Sequence, residues 1–172
     1  MNTRTSTLTI NRLAIVTFAV LLGIATAAPL VGNQFITGTI VNATLIVATV
    51  ALGVRNGLLL GLIPSSIALA SGLLPVLLAP MIPFIILGNA ALVVTFDYFG
   101  KKNYWLGMVS GSILKFGIIF GTSSIVTNMI VSQQVAAKVA VMMSWPQLVT
   151  AFAGGLVAYG FLRVTRSRGT EF

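Results

Sequence analysis

Long apolar runs separated by brief polar or basic interruptions fill the chain, at approximately residues 13–31, 37–54, 57–73, 83–99, 105–130 and 145–162. Each approaches the roughly 17–25 residues that an α-helix, rising about 1.5 Å per residue, needs to cross about 30 Å of hydrocarbon. The pattern predicts an all-α fold, a polytopic membrane bundle of six transmembrane helices in a single domain. A short tail, 1–12, precedes the first span, and a basic tail, 163–172, follows the last. Composition agrees: 57% of the 172 residues are hydrophobic and 7% are charged, far from the balance of a soluble domain.

The net charge of +8 would point to nucleic acid in a soluble protein, but the placement of the basic residues gives it another meaning. Arg4 and Arg12 precede the first span, Arg55 follows the second, Lys101 and Lys102 the fourth, and Arg163, Arg166 and Arg168 the sixth. All eight fall on one face of a six-span bundle, whereas the other face has only Lys138, in "VSQQVAAKVAVMM". Positive-inside asymmetry then predicts that both termini are cytoplasmic, and no nucleic-acid partner is expected. The start of the chain, with Arg4, Arg12, an apolar stretch and Ala25-Thr26-Ala27, also has the build of a cleavable signal peptide. We read it as a retained span. Cysteine and histidine are both absent, which removes disulfides, thiolate or imidazole metal sites and histidine catalysis, so no cofactor or metal is expected.

Four polar residues interrupt the spans: Asn42, Asn89, Lys115 and Asn128. A polar group facing lipid must find a partner or lose several kcal/mol, so these side chains should point inward. Asn42 and Asn89 lie about 8–9 Å inside the outer ends of the second and fourth spans, and Lys115 about 15 Å up the fifth. The three are expected to line one cavity. Helical spacing places Thr39, Asn42, Thr49 and Gly53 on one face, and Tyr104, Met108, Gly111, Lys115 and Thr122 on another. For Asn42 and Asn128, interhelical hydrogen bonding is the simpler reading. Lys115 has three open explanations: a bound anionic or carbonyl-rich ligand; an internal partner such as Asp97 or backbone carbonyls; or an uncharged amine. Asp97 lies four residues before Lys101, where an ordinary helical ion pair accounts for it.

Two further stretches carry signals. In "SWPQL", Ser144 and Gln147 have the spacing of a capping box, with Pro146 in the first turn. The helix start beside Trp145, Met142 and Met143 also suits an anionic or flat aromatic ligand. In "LLPVLLAPMIPF", Pro75, Pro80 and Pro83 predict a stiff outer connection, either a simple helix break or a cover over a ligand. Small-residue steps recur at Ala19, Gly23 and Ala27, at Gly57 and Gly61, at Gly107 and Gly111, at Gly117 and Gly121, and at Ala151 and Gly155. Such steps usually serve internal helix packing. The first could equally dock another membrane subunit.

With these features in place, the chain resembles the S components of energy-coupling factor transporters, small six-helix subunits that capture vitamins and other micronutrients in prokaryotes. The likeness covers about residues 10–165 and rests on size, span count, apolar outer connections, the row on the first span, and three stretches: "QFITGTIVNATLIVAT", "SGLLPVLLAPMIPFIILGNA" and "VMMSWPQLVTAFAGG". Those stretches look like ones in members without an assigned substrate. The resemblance implies a prokaryotic plasma-membrane protein binding a small molecule from outside, under the loops after the first, third and fifth spans. Lys115, Asn89, Asn42, Trp145, Gln147, Asn33 and Gln34 are then the candidate substrate-binding residues. It further implies docking through Ala19, Gly23 and Ala27 to a transmembrane T component that carries two cytoplasmic ATPases. The family's Ala-x-x-x-Ala motif stands here as Ala19-x-x-x-Gly23.

The chain contains no Gly-rich phosphate-binding loop ending in Lys-Ser/Thr, so the energy for uptake is expected from those partners. Two other functions stay open. One is a ligand-free membrane assembly or scaffold protein. The other is a membrane hydrolase using Ser112 and Lys115, three residues apart on one helix.

Overall fold

The computed structural model describes residues 12–70, 76–129 and 133–167. Seven α-helices run through them: α1 Arg12–Ala27, α2 Gln34–Leu52, α3 Val54–Ala70, α4 Ile82–Gly100, α5 Tyr104–Met129, α6 Gln133–Met142 and α7 Trp145–Ser167. Six match the six predicted segments. The seventh, α6, corrects the reading of "VSQQVAAKVAVMM" as a plain connection. Its apolar positions Val135, Val139, Met142 and Met143 recur at helical spacing, and Val139 and Met143 are buried. Among the described residues five segments are long and apolar enough to cross a membrane, namely Arg12–Val31, Gln34–Leu52, Ala79–Gly100, Tyr104–Asn128 and Val139–Ser167. Helix α3, Val54–Ala70, is 17 residues long and contains Pro64.

Local chemistry sets the helix ends. The Asn33 side chain accepts hydrogen bonds from the amides of Phe35 and Ile36 at 2.9 and 3.2 Å, capping α2. Asn103 does the same for α5 through Trp105 and Leu106. Gly53, at φ 86°, turns the chain out of α2 with a backbone that side-chain-bearing residues rarely adopt. Proline shapes the opposite end of the bundle. Pro29 opens a 3-10 turn over Ala28–Val31, Pro80 lies in another over Val76–Met81, and Pro83 sits in the first turn of α4. Pro75 lies outside the described residues.

The helices pack mainly as α4 against α5 and α2 against α7, with α3 beside both α2 and α4. Lipid tails are as apolar as leucine, so close van der Waals approach, more than exclusion of water, must hold such helices together. Gly154 shows how close. A Cβ there would stand 2.6 Å from Asn42 Cβ and 2.9 Å from the backbone of α2. Two apolar clusters result, one around Leu45, Ile46, Leu92, Phe96 and Met108, the other around Met81, Ile119, Val126, Val139 and Met143. The outer surface is apolar as well: Val94, Ile113, Leu156 and Val157 are each at least half exposed. Exposed aliphatics at this density, on helices of spanning length, are the build of a multi-pass membrane protein.

Of the small-residue steps, Gly57, Gly61, Gly107, Gly111, Ala151 and Gly155 are buried between helices. Gly117 and Gly121 are exposed, with nothing near them, so they do not serve internal packing. Ala19, Gly23 and Ala27 are likewise exposed.

The contrast sets a stability test. Gly154→Ala should lower stability in detergent by about 1–3 kcal/mol, since backbone and Cβ atoms on α2 would have to retreat. Gly23→Ala meets no atom within 4 Å and should be neutral or stabilising by up to about 1 kcal/mol through helix propensity. Melting curves of the two variants compare them directly.

Candidate functional site

Lys115 lies on the inward face of α5, between the two apolar clusters, and is 4% exposed. Its Nζ donates to Asn42 Oδ1 on α2 at 2.5 Å and to Asn89 Oδ1 on α4 at 2.7 Å. Asn89 in turn donates through Nδ2 to the Gly61 carbonyl of α3 at 3.1 Å. Four helices therefore meet at one polar group. Two glycines make room for it. A Cβ at Gly61 would stand 3.2 Å from Asn89 Cβ, and one at Gly88 would stand 3.3 Å from Lys115 Cγ. One turn beyond Gly61, Pro64 withholds an amide from the carbonyl ladder of α3. Pro64 and Ser65 border the same site.

The sequence-based choice among partners for Lys115 is decided in part. Asp97 is not one of them: its carboxylate pairs with Lys101 at 2.7 Å on an exposed helical turn. The carbonyls that Lys115 meets are side-chain amides. The asparagines thus do act as interhelical hydrogen-bonding residues, with the lysine at their centre. Asn128 takes no part. It is exposed near the end of α5, so the inward orientation expected for it is not found.

Above this group opens a cavity of about 340 Å³. Lys115, Asn42 and Asn89 line it, together with Asn33, Gln34, Gln147 and Thr150. An ammonium has three N–H donors. Two go to the asparagines, and among the described residues no third acceptor exists. With Oδ1 turned to Lys115, the Asn42 NH2 also makes no hydrogen bond among the described residues. The floor of the cavity thus has donor capacity to spare.

The mouth is built differently. Gln34 Nε2 and Gln147 Nε2 both donate to the Met142 carbonyl, at 2.5 and 3.1 Å. These two bonds tie the α6–α7 junction to α2 and α7, leaving each amide oxygen without a hydrogen bond among the described residues. Thr37 holds the 3-10 turn through the Ala28 carbonyl at 3.0 Å.

Six of the seven candidate substrate residues border this cavity. Trp145 does not: it is 57% exposed and packs on Phe35 with ring centroids 5.6 Å apart. The capping box expected at α7 also fails to form. Ser144 Oγ donates back to the Val141 carbonyl at 2.7 Å, and Gln147 turns to Met142, because the preceding helix α6 supplies carbonyls within reach. Sequence reasoning did not identify Thr150, Pro64 and Ser65 as lining residues. The signal for Thr150 was its place three residues after Gln147, one helical step along the same face.

Ser112 Oγ is fully buried and has no hydrogen-bond partner among the described residues. A serine nucleophile activated by lysine needs a hydrogen bond between the two, and Lys115 Nζ is instead directed to the asparagines.

A double-mutant cycle tests this arrangement. Lys115→Met and Asn89→Leu should couple by about 1–3 kcal/mol in detergent stability, as groups sharing one hydrogen-bond network do. Lys115→Met and Asp97→Asn should add, because Asp97 is already occupied by Lys101. Coupling to Asp97 in place of Asn89 would contradict the geometry. Comparison of the chain with protein-family models, curated proteins and solved structures gave no match.

Proposed function

We propose that the protein is the substrate-capturing membrane subunit of an energy-coupling factor type uptake transporter, as its resemblance to S components implies. It takes a small molecule from the outer side of a prokaryotic plasma membrane. One observation carries this reading: a cavity whose floor is a buried lysine held by two neutral asparagines, with donors left over and, among the described residues, no acid beside them. A bundle with a purely structural role needs neither the space nor the cation, since burying a charge without a counterion is unfavourable. The spare donors select a ligand that leads with a carboxylate, phosphate or carbonyl-rich group. The free amide oxygens of Gln34 and Gln147 suit a donor-bearing group at its other end. The protein is assigned no catalytic role, and no cofactor.

Charge placement supports six spans with both termini in the cytoplasm, counting α3 as the third. The cavity then opens outward, beneath the turns after α1 and α3 and beside α6. The exposed row Ala19, Gly23 and Ala27 supports docking of α1 to a T component, which carries the two ATPases that supply the energy.

Four experiments test the proposal. Native mass spectrometry of protein extracted gently from its own membranes should reveal a copurifying small molecule. With that molecule as probe, Lys115→Met should weaken binding by about 2–5 kcal/mol, as on removal of one partner of a buried charge pair. Unchanged affinity in a folded Lys115→Met protein would overturn the ligand reading. Orientation can be probed because the chain has no cysteine of its own. Asn33→Cys should react with an impermeant thiol reagent from outside, and Lys102→Cys should not. Finally, Gly23→Leu should reduce copurification of a larger membrane subunit and ATPases by blocking close helix approach; an undiminished complex would remove α1 from the interface.

A further inference from the structure

A second cavity, about 610 Å³, lies at the opposite end of the bundle from the Lys115 site. Lys101, Arg163 and Arg166 line it together with Asp97, so three cations face one carboxylate. The carboxylate is already taken by Lys101 at 2.7 Å. Arg163 and Arg166, three residues apart on the last turns of α7, make no ion pair among the described residues. Among the described residues the cavity therefore holds a surplus of two positive charges.

Its walls change character with depth. Val50, Phe96 and Leu162 form an apolar part below the arginines, and Val50 is itself partly exposed on the outer surface of α2. Tyr159 stands between the two zones, fixed by ring contacts to Tyr104 at 5.1 Å and Trp105 at 4.9 Å. Its hydroxyl makes no hydrogen bond among the described residues, whereas that of Tyr104 donates to the Gly155 carbonyl at 2.7 Å. Trp105 and Tyr98 are exposed at the same end, the level at which aromatic side chains mark a membrane–water interface.

A cationic rim over an apolar wall at interfacial depth matches one class of ligand. We infer that this cavity binds the phosphate headgroup of an anionic phospholipid, with Arg163 and Arg166 forking onto the phosphate oxygens, Tyr159 donating to it, and an acyl chain descending past Val50. Guanidinium groups present paired N–H donors suited to phosphate, and basic pockets between membrane helices bind anionic headgroups. The inference rests on the membrane-spanning reading and is independent of substrate capture at Lys115.

Native mass spectrometry of the purified full chain in detergent tests it, with phosphatidylglycerol and phosphatidylcholine added at equal concentration. Phosphatidylglycerol adducts should exceed phosphatidylcholine adducts by at least about fivefold. R163Q/R166Q should erase that preference, and R55Q/K102Q, which removes equal charge from the same end outside the cavity, should keep it. Tyr159→Phe, with both arginines intact, should reduce the preference partly, and it serves as the second variant if R163Q/R166Q does not fold. Loss of preference in R55Q/K102Q equal to that in R163Q/R166Q would mean diffuse attraction and would overturn the site. So would a preference that survives R163Q/R166Q. Complete displacement of phosphatidylglycerol by millimolar inorganic phosphate would reassign the site to a free anion, while resistance to it supports the lipid. Loss of copurifying ATPases in R163Q/R166Q without any change in lipid adducts would assign the arginines to a protein partner and likewise overturn the lipid site.

Discussion

Burying the Lys115 side chain in an apolar bundle is the constraint around which the rest of the protein is arranged. A cation removed from water must be given oxygen atoms in its place, and among the described residues no carboxylate bonds to Lys115. Asn42 and Asn89 provide those oxygens from α2 and α4, and Asn89 passes the connection to the backbone of α3. None of these side chains could serve if its helix stood farther away. Glycine at positions 61, 88 and 154 is therefore part of the same device: it sets the interhelical distances at which a four-carbon side chain and two short amides meet. Polar satisfaction and close packing here are a single requirement.

Neutral ligands have a chemical consequence that a carboxylate would not. An aspartate in place of Asn42 or Asn89 would pair with Lys115 and cancel its attraction for an incoming anion. If Lys115 is an ammonium, two asparagine oxygens solvate it and leave its charge uncompensated, so the field at the cavity floor is positive. The mouth is held by weaker and fewer ties. Gln34 and Gln147 share the Met142 carbonyl, and the short helix α6 contacts chiefly α5, with few neighbours elsewhere. The floor is fixed by four long helices, the cover by two amide bonds and a small apolar cluster. Local opening takes place where contacts are fewest, which for this cavity is the cover.

Much of this was legible in the sequence, because a membrane bundle writes its spans as uninterrupted apolar runs and its interior polar positions as exceptions within them. Lys115, Asn42 and Asn89 stood out on that ground alone, and simple rise-per-residue arithmetic placed Lys115 near the midplane and the asparagines nearer the outer ends, within reach of one cavity. Their direct bonding was not legible. It depends on interhelical distance, which small residues control in combinations that spacing along one helix does not reveal. The α6 helix escaped notice because its apolar positions are interleaved with Gln133, Gln134 and Lys138, so it is too polar to register as a span. Ser144 and Gln147 fitted a capping box by spacing, but α6 ends directly before them and offers carbonyl acceptors that compete with the cap. Asn128 was read as inward by the same rule that succeeded for Asn42. Near a helix end water or headgroups can satisfy an amide, so the rule loses its force there.

The two proposed interfaces, for substrate and for partner, fall on different sides of the bundle and have little structure in common. The cavity draws its polar floor from α2, α4 and α5, with α3 and α7 completing it. Helix α1 buries only Leu21 and Ala25, and carries Ala19, Gly23 and Ala27 on its free side. An apolar groove of about 470 Å³ separates it from α7 along Val16, Val20, Val157 and Phe161. Helix α1 is thus the least embedded of the long helices, held by α2 and α3 and almost nothing else. Coupling between distant sites travels through packed elements that both sites touch. Helices α2 and α3 are those elements: α2 presents Asn42 to Lys115 on one face and supports α1 on another, and α3 lends Gly61 to Asn89 while packing against α1. A ligand that draws Lys115 upward would pull on Asn42 and, through Asn89, on Gly61, and so would act on both helices that seat α1.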